Sequence, residues 1–143
     1  MNSSHKKSRV LCCGTFDYLH PGHESFLHQA SILAEELYVV VARDSNVLRL
    51  KGRHPDHDEK TRKTRVENLG IAQKVVLGYE GFNLLRIVTE LNPDVIALGY
   101  DQQHPKKLRE VFPEMRIEKL NPFEPEKFKS SVIRKNYVGR IKT

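Results

Sequence analysis

Residues 37–43 read LYVVVAR, a β-branched run in which apolar and polar side chains do not alternate. A strand with one wet face alternates with period two, so an unbroken run suits a strand buried on both faces. Such strands belong to parallel sheets, whose crossover connections are helices that cover the faces. The rest of the chain fits this constraint. The patterning predicts further strands at 9–15, 74–79, 93–99 and 115–120. Helical spacing predicts helices at 23–36, 59–71 and 82–92, a short one in KKLREVF, and a closing one over 129–137. KGRHPDHD (51–58) reads as a polar loop, and Pro93 stops the helix before it.

The expected fold is therefore a single α/β, Rossmann-like domain: a parallel five-stranded sheet with helices on both faces. It spans 9–143 after a flexible N-terminal segment, 1–8. The 143 residues make one core and leave no room for two enzymatic modules. No apolar run approaches the ~20 residues of a membrane span, and MNSSHKKSR does not resemble a leader peptide. Cys12 and Cys13 are adjacent in an apolar run, which suits small buried hydrophobes in a reducing cytoplasm and not a disulfide framework. The net charge of +6 favours anionic partners without separating nucleic acid from a phosphorylated small molecule.

A parallel sheet of this kind binds ligands beyond the carboxyl ends of its strands, where the strand order reverses. The loop after the first strand reads GTFDYLHPGH, so His20 and His23 stand at that place. Gly14 and Gly22 remove side chains from a crowded turn, and Pro21 suits a helix start, where a missing N–H costs little. The helix that begins there aims free N–H groups and a positive dipole end at the crevice. Two imidazoles one turn apart add side-chain donors to a phosphate site. A metal pair completed by His54 and His57 is the competing reading, and no carboxylate–histidine spacing supports it.

GTFDYLHPGH resembles the signature of the HxGH nucleotidyltransferases, which include cytidylyltransferases, pantetheine-phosphate adenylyltransferase and FAD synthases. The resemblance continues through VVVARDSNVLRLKGRHP, EKTRKTRVENL, DVIALGYDQ and the late KSSVIRK. It is nearest to the archaeal-type FAD synthases, stand-alone FMN adenylyltransferases in which ARD…KGR-P and LGxDQ occur together. The late superfamily motif ISSTxxR differs here: Val132 stands at the threonine position, while Ser130, Ser131 and Arg134 are kept.

The resemblance implies transfer of AMP from ATP to FMN, giving FAD and pyrophosphate. It implies that His20 and His23 bond the α- and β-phosphates, and that Lys51 and Arg134 neutralise the transferring and leaving groups. Ser130 and Ser131 would hold the β/γ end, with Arg62 as a further phosphate clamp. Thr15 and Phe16 would line the nucleotide crevice through backbone groups, Gly99 would also bind the nucleotide, Asp101 would hold the ribose, and Asp17 would orient the loop. Mg²⁺ is expected to arrive with the triphosphate and to need few protein ligands; no metal-ligand residue is assigned. The expected partners are ATP and a phosphorylated small molecule, FMN foremost, with no nucleic acid and no membrane. A homodimer is the commonest assembly for such a chain. Two other functions stay open at this point: a CTP-dependent cytidylyltransferase acting on glycerol 3-phosphate or a related phosphate, and a non-catalytic binder of nucleotide or RNA.

Overall fold

The computed structural model describes residues 6–81, 83–100, 102 and 106–122. In chain order the elements are β1 (Arg9–Gly14), α1 (Pro21–Ser31), β2 (Glu36–Val41), α2 (Asp44–Lys51), α3 (Glu59–Asn68), β3 (Lys74–Leu77), α4 (Leu84–Leu91), β4 (Val95–Leu98), α5 (Lys106–Val111) and β5 (Arg116–Lys119). The strands form one sheet in the order β3-β2-β1-β4-β5, and every pairing is parallel. The order reverses beside β1, between it and β4.

Successive residues of a strand face opposite sides, and the core divides accordingly. Val10 and Cys12 of β1, with Val39 and Val41 of β2, meet Leu27 and Ala30 of α1 and Val66 of α3 on one face. Leu11, Val40 and Ile96 meet Ile87 and Val88 of α4 and Leu108 of α5 on the other. Burial of each such leucine contributes about 2 kcal/mol. The expected sheet, with helices on both faces, is the observed one. Cys12 and Cys13 are free thiols, and burial pushes Cys13 up to about 12, so neither is ionised at neutral pH.

The predicted elements differ from the observed ones mainly at their ends. The first helix was expected over 23–36; it begins at Pro21 and stops at Ser31. Ser31 Oγ donates back to the His28 carbonyl at 2.7 Å, and the Leu33 N–H closes a tight turn on Ala30. Leu33 and Ala34, which carried the longer helical spacing, still pack against the core, but from a turn. Helix α2 was not anticipated. Only Asn46 and Val47 of it are buried, so it has no apolar stripe to read. Its stop signal was present in Gly52, which adopts the left-handed conformation at φ 76° and donates to the Leu48 carbonyl.

Ser8, at the end of the segment expected to be flexible, is pinned: its N–H donates to Glu35 Oε1 at 3.0 Å and its carbonyl accepts from Glu36. The closing helix expected over 129–137 lies outside the described residues.

Candidate active site

The site grows from the carboxyl end of β1. Gly14 is required there because the Phe16 ring lies over it; a Cβ at Gly14 would come within 2.8 Å of that ring. Phe16 itself takes a left-handed backbone, φ 55°, which costs a bulky L-residue about 1–2 kcal/mol. Its ring is buried in the core and tilts against the His23 ring at 5.4 Å, so packing holds the strained turn in place.

The chain then reaches the N-terminus of α1. His20 caps it: its Nδ1 accepts from the Gly22 N–H at 3.1 Å, with Pro21 in the first turn. That bond assigns the tautomer, because an Nδ1 that accepts carries no proton, and the neutral ring holds its proton on Nε2. The His20 and His23 rings stack at 3.9 Å with 30° between their planes. Burial holds the pKa of both below the usual imidazole value. For His23 the burial effect is largest, the neighbouring His20 adds to it, a hydrogen bond to the Tyr18 backbone opposes it, and the Lys51 charge lowers it further, to about 3. Both rings are therefore neutral in the ligand-free protein at pH 7. Lys51, the last residue of α2, is exposed and near enough for its charge to be felt at His23.

A second layer fixes this loop from behind. Asp17, 8% exposed, accepts from the Asp56 and His57 N–H groups at 2.9 Å each, and the His57 ring lies 2.8 Å from the Asp17 carbonyl. Tyr18 donates to Asp56 and meets His57 edge-on. Asp17 thus orients the loop by docking residues 56–57 onto it. Arg62 corrects the expectation of a phosphate clamp. It is 0% exposed, and its guanidinium donates to the His57 carbonyl, the Thr15 carbonyl and Asp44 Oδ1 at 2.7–2.9 Å. It ties α3 to the loop after β1 and does not face a ligand. The Thr15 carbonyl is accordingly engaged.

Asp44 and Glu59 complete that layer. Each carboxylate accepts from the other's backbone N–H, so α2 and α3 cap one another, and Arg43 pairs with Glu59 at 3.0 Å. Sequence reasoning missed this pair; an acidic residue at each helix start was the available sign.

Across the crevice, the loop after β4 brings Gly99 opposite β1. The Gly99 N–H is taken by Gln102 Oε1 at 2.8 Å, and Gln102 Nε2 donates to the Cys13 carbonyl at 3.0 Å. Gln102 was part of the quoted GYDQ segment but was given no role. The structure thus brings Gly14, Thr15, Phe16, His20, Pro21, Gly22, His23, Lys51 and Gly99 to one end of the sheet. Asp101, Ser130, Ser131 and Arg134 lie outside the described residues.

Comparisons with known proteins bear on the family and the fold. The cytidylyltransferase-like family model matches residues 11–136. An FAD synthase of Thermoplasma volcanium is 36% identical over 138 residues, covering 93% of this chain and 96% of that protein. An FAD synthase of Methanosarcina barkeri is 48% identical over 96 residues, or 67% of each chain. Among solved structures, one described as the lipopolysaccharide core biosynthesis protein from Thermoplasma volcanium superposes with a TM-score of 0.75 at 34% identity. It is matched over its whole length and over 83% of this chain.

Proposed function

The chain belongs to the cytidylyltransferase-like family, and from that premise we infer that it is a nucleotidyltransferase of the FAD synthase type. It transfers AMP from ATP to FMN, giving FAD and pyrophosphate. The observation that carries the reading is the stacked His20–His23 pair at the N-terminus of α1, beside the point where the strand order reverses.

The FMN phosphate attacks the α-phosphorus of ATP in line, and the bond to the pyrophosphate oxygen breaks. The nucleophile needs no general base, because a phosphate monoester with a second pKa of about 6 is mostly dianionic at pH 7. Catalysis is then alignment together with stabilisation of charge on the leaving group. In our reading His20 donates to the triphosphate from Nε2, the nitrogen that the Gly22 bond leaves protonated. His23 bonds the neighbouring phosphate, and Lys51 supplies positive charge at the mouth. The positive end of the α1 dipole attracts the phosphates without adding a net charge. Arg134, Ser130 and Ser131 are proposed for the pyrophosphate end and Asp101 for the ribose, on the resemblance of their segments alone.

A divalent cation, Mg²⁺ in our reading, would supply positive charge against the phosphates when the nucleotide is bound. Such a cation would take most of its ligands from the nucleotide and water. Among the described residues no three His, Cys, Asp or Glu side chains converge, and the Asp17 carboxylate is spent on two backbone N–H groups. No helix among the described residues is long and apolar enough to cross a membrane. We place the enzyme in the cytoplasm, with small-molecule substrates, no nucleic-acid partner and a homodimer as its assembly.

Pyrophosphate release with Mg²⁺, crossing ATP and CTP against FMN and glycerol 3-phosphate, tests the reading. Release with ATP plus FMN alone is expected. Release confined to CTP would keep the phosphate chemistry and overturn the substrates.

A further inference from the structure

Beyond Leu11 and Ile96 the sheet forks. β1 and β4 pair only at Val10↔Val95 and Leu11↔Ile96. β1 then runs on beside β2 as far as Gly14↔Val41, and β4 runs on beside β5 as far as Leu98↔Lys119. The arms of this fork lead into the two loops that face each other across the crevice, one carrying His20 and His23, the other Gly99 and Tyr100.

One side chain spans the fork. Gln102 accepts from the Gly99 N–H on the β4 side and donates to the Cys13 carbonyl on the β1 side. Its own N–H closes a turn on the Gly99 carbonyl at 3.1 Å, which places the amide directly over the gap. A primary amide carries both N–H donors and a carbonyl acceptor, and here one of each is used, as a peptide unit would use them if the ladder continued. Gln102 therefore replaces the missing rung between two strands that have already parted.

We propose that Gln102 is a positioning residue for the nucleotide: its amide fixes the separation of the two loops between which ATP lies. The inference rests on the FMN adenylyltransferase reading and deepens it. Methionine fills the same space and makes neither bond, while asparagine is one methylene too short to reach both arms. Loss of the bridge lets the β4 loop drift from the histidine loop. In-line transfer does not tolerate that, since a displacement of about 1 Å costs on the order of 10²-fold in rate. The FMN side is not held by this amide, so its affinity is not expected to follow.

The test compares wild-type protein with Gln102→Met and Gln102→Asn, reading KM for ATP and for FMN separately, and ATP binding by calorimetry. We expect the ATP KM and Kd to rise about tenfold in both variants, with the FMN KM within about twofold of wild type. An ATP KM that stays put while the melting temperature falls overturns the inference, as does a parallel rise of both KM values, because either marks a merely structural role. Where Gln102→Met does not fold, Gln102→Asn gives the same reading. The wild-type protein supplies a check free of substitutions. The Gln102 side-chain amide resonances should move when ATP is added and stay still when FMN alone is added; the reverse overturns the proposal. Wild-type protein that forms no FAD contradicts the function on which this rests. Normal FAD synthesis with unchanged ATP constants in the variants contradicts the Gln102 role alone.

Discussion

The two edges of the sheet handle arginine in opposite ways. At the amino edge Arg9 donates to the Leu91 carbonyl at 2.6 Å and to Glu36 at 3.2 Å, and its guanidinium lies 4.1 Å from the Tyr38 ring centroid. Its backbone N–H is held by Asp94 at 2.8 Å, and Lys74 approaches the same tyrosine. Charges there are matched and partly wet, and the left-handed residue is Asn92 at φ 48°, the C-cap of α4, a place where asparagine is at ease. At the carboxyl edge Arg62 is fully buried and faces inward, Phe16 is held in a left-handed turn, and two imidazoles are kept neutral. The first edge closes the sheet. The second uses buried polar groups to hold a strained loop in place, and strain of that kind persists only where its surroundings over-determine it.

Substitutions at the two edges should therefore differ in size and in kind. Arg62→Met should be the most damaging, destabilising the protein by about 3 kcal/mol in denaturant unfolding, because it strips donors from two carbonyls and a carboxylate. A loss below about 1 kcal/mol would mean that the buried guanidinium is not the anchor. His23→Ala should keep its far-UV circular dichroism and lose at least ~10²-fold in turnover; near-normal turnover would remove the histidine pair from the chemistry. Gly14→Ala should cost about 2 kcal/mol, since the Phe16 ring must give way, and should lower turnover with it. Relief of that penalty in Gly14→Ala/Phe16→Leu would locate the clash.

The histidines also give the carboxyl edge a pH dependence of its own. The folded pKa of His23 lies near 3, below its unfolded value near 6.5, so acid protonates the unfolded chain first. Stability is full above about pH 6.5 and falls as the pH drops towards 3, by about 1 kcal/mol per unit at first. His23→Gln should show a shallower fall between pH 6.5 and 5, and an equal slope would reassign the burial. The smallest effect belongs to Arg9→Ala, below about 1 kcal/mol and without change in either KM.

The sheet was legible in the sequence because its strands are buried on both faces, and LYVVVAR has no other comfortable home. The local structure of the loop after β1 was legible because its signals are adjacent: a cap, a proline and two histidines within one turn. Arg62 was misread because its role is set by partners far along the chain, Thr15 and Asp44, which no spacing announces. Helix α2 escaped for a related reason: it is held by the Asp44–Glu59 exchange of caps and not by an apolar stripe. Gln102 was in view, yet its meaning depends on where two strands part, a property of register that sequence does not display.

The most direct test of the central claim is a titration of the histidine ring nitrogens by ¹⁵N–¹H spectroscopy, without and with ATP and Mg²⁺. In the free protein His20 should appear as the Nε2–H tautomer and His23 should remain neutral to well below pH 5. On addition of ATP both rings should shift, while His28, exposed on the far turn of α1, serves as an internal control and stays in place. Signals of His20 and His23 that ignore ATP, or that move no more than His28, would contradict a triphosphate site at the start of α1.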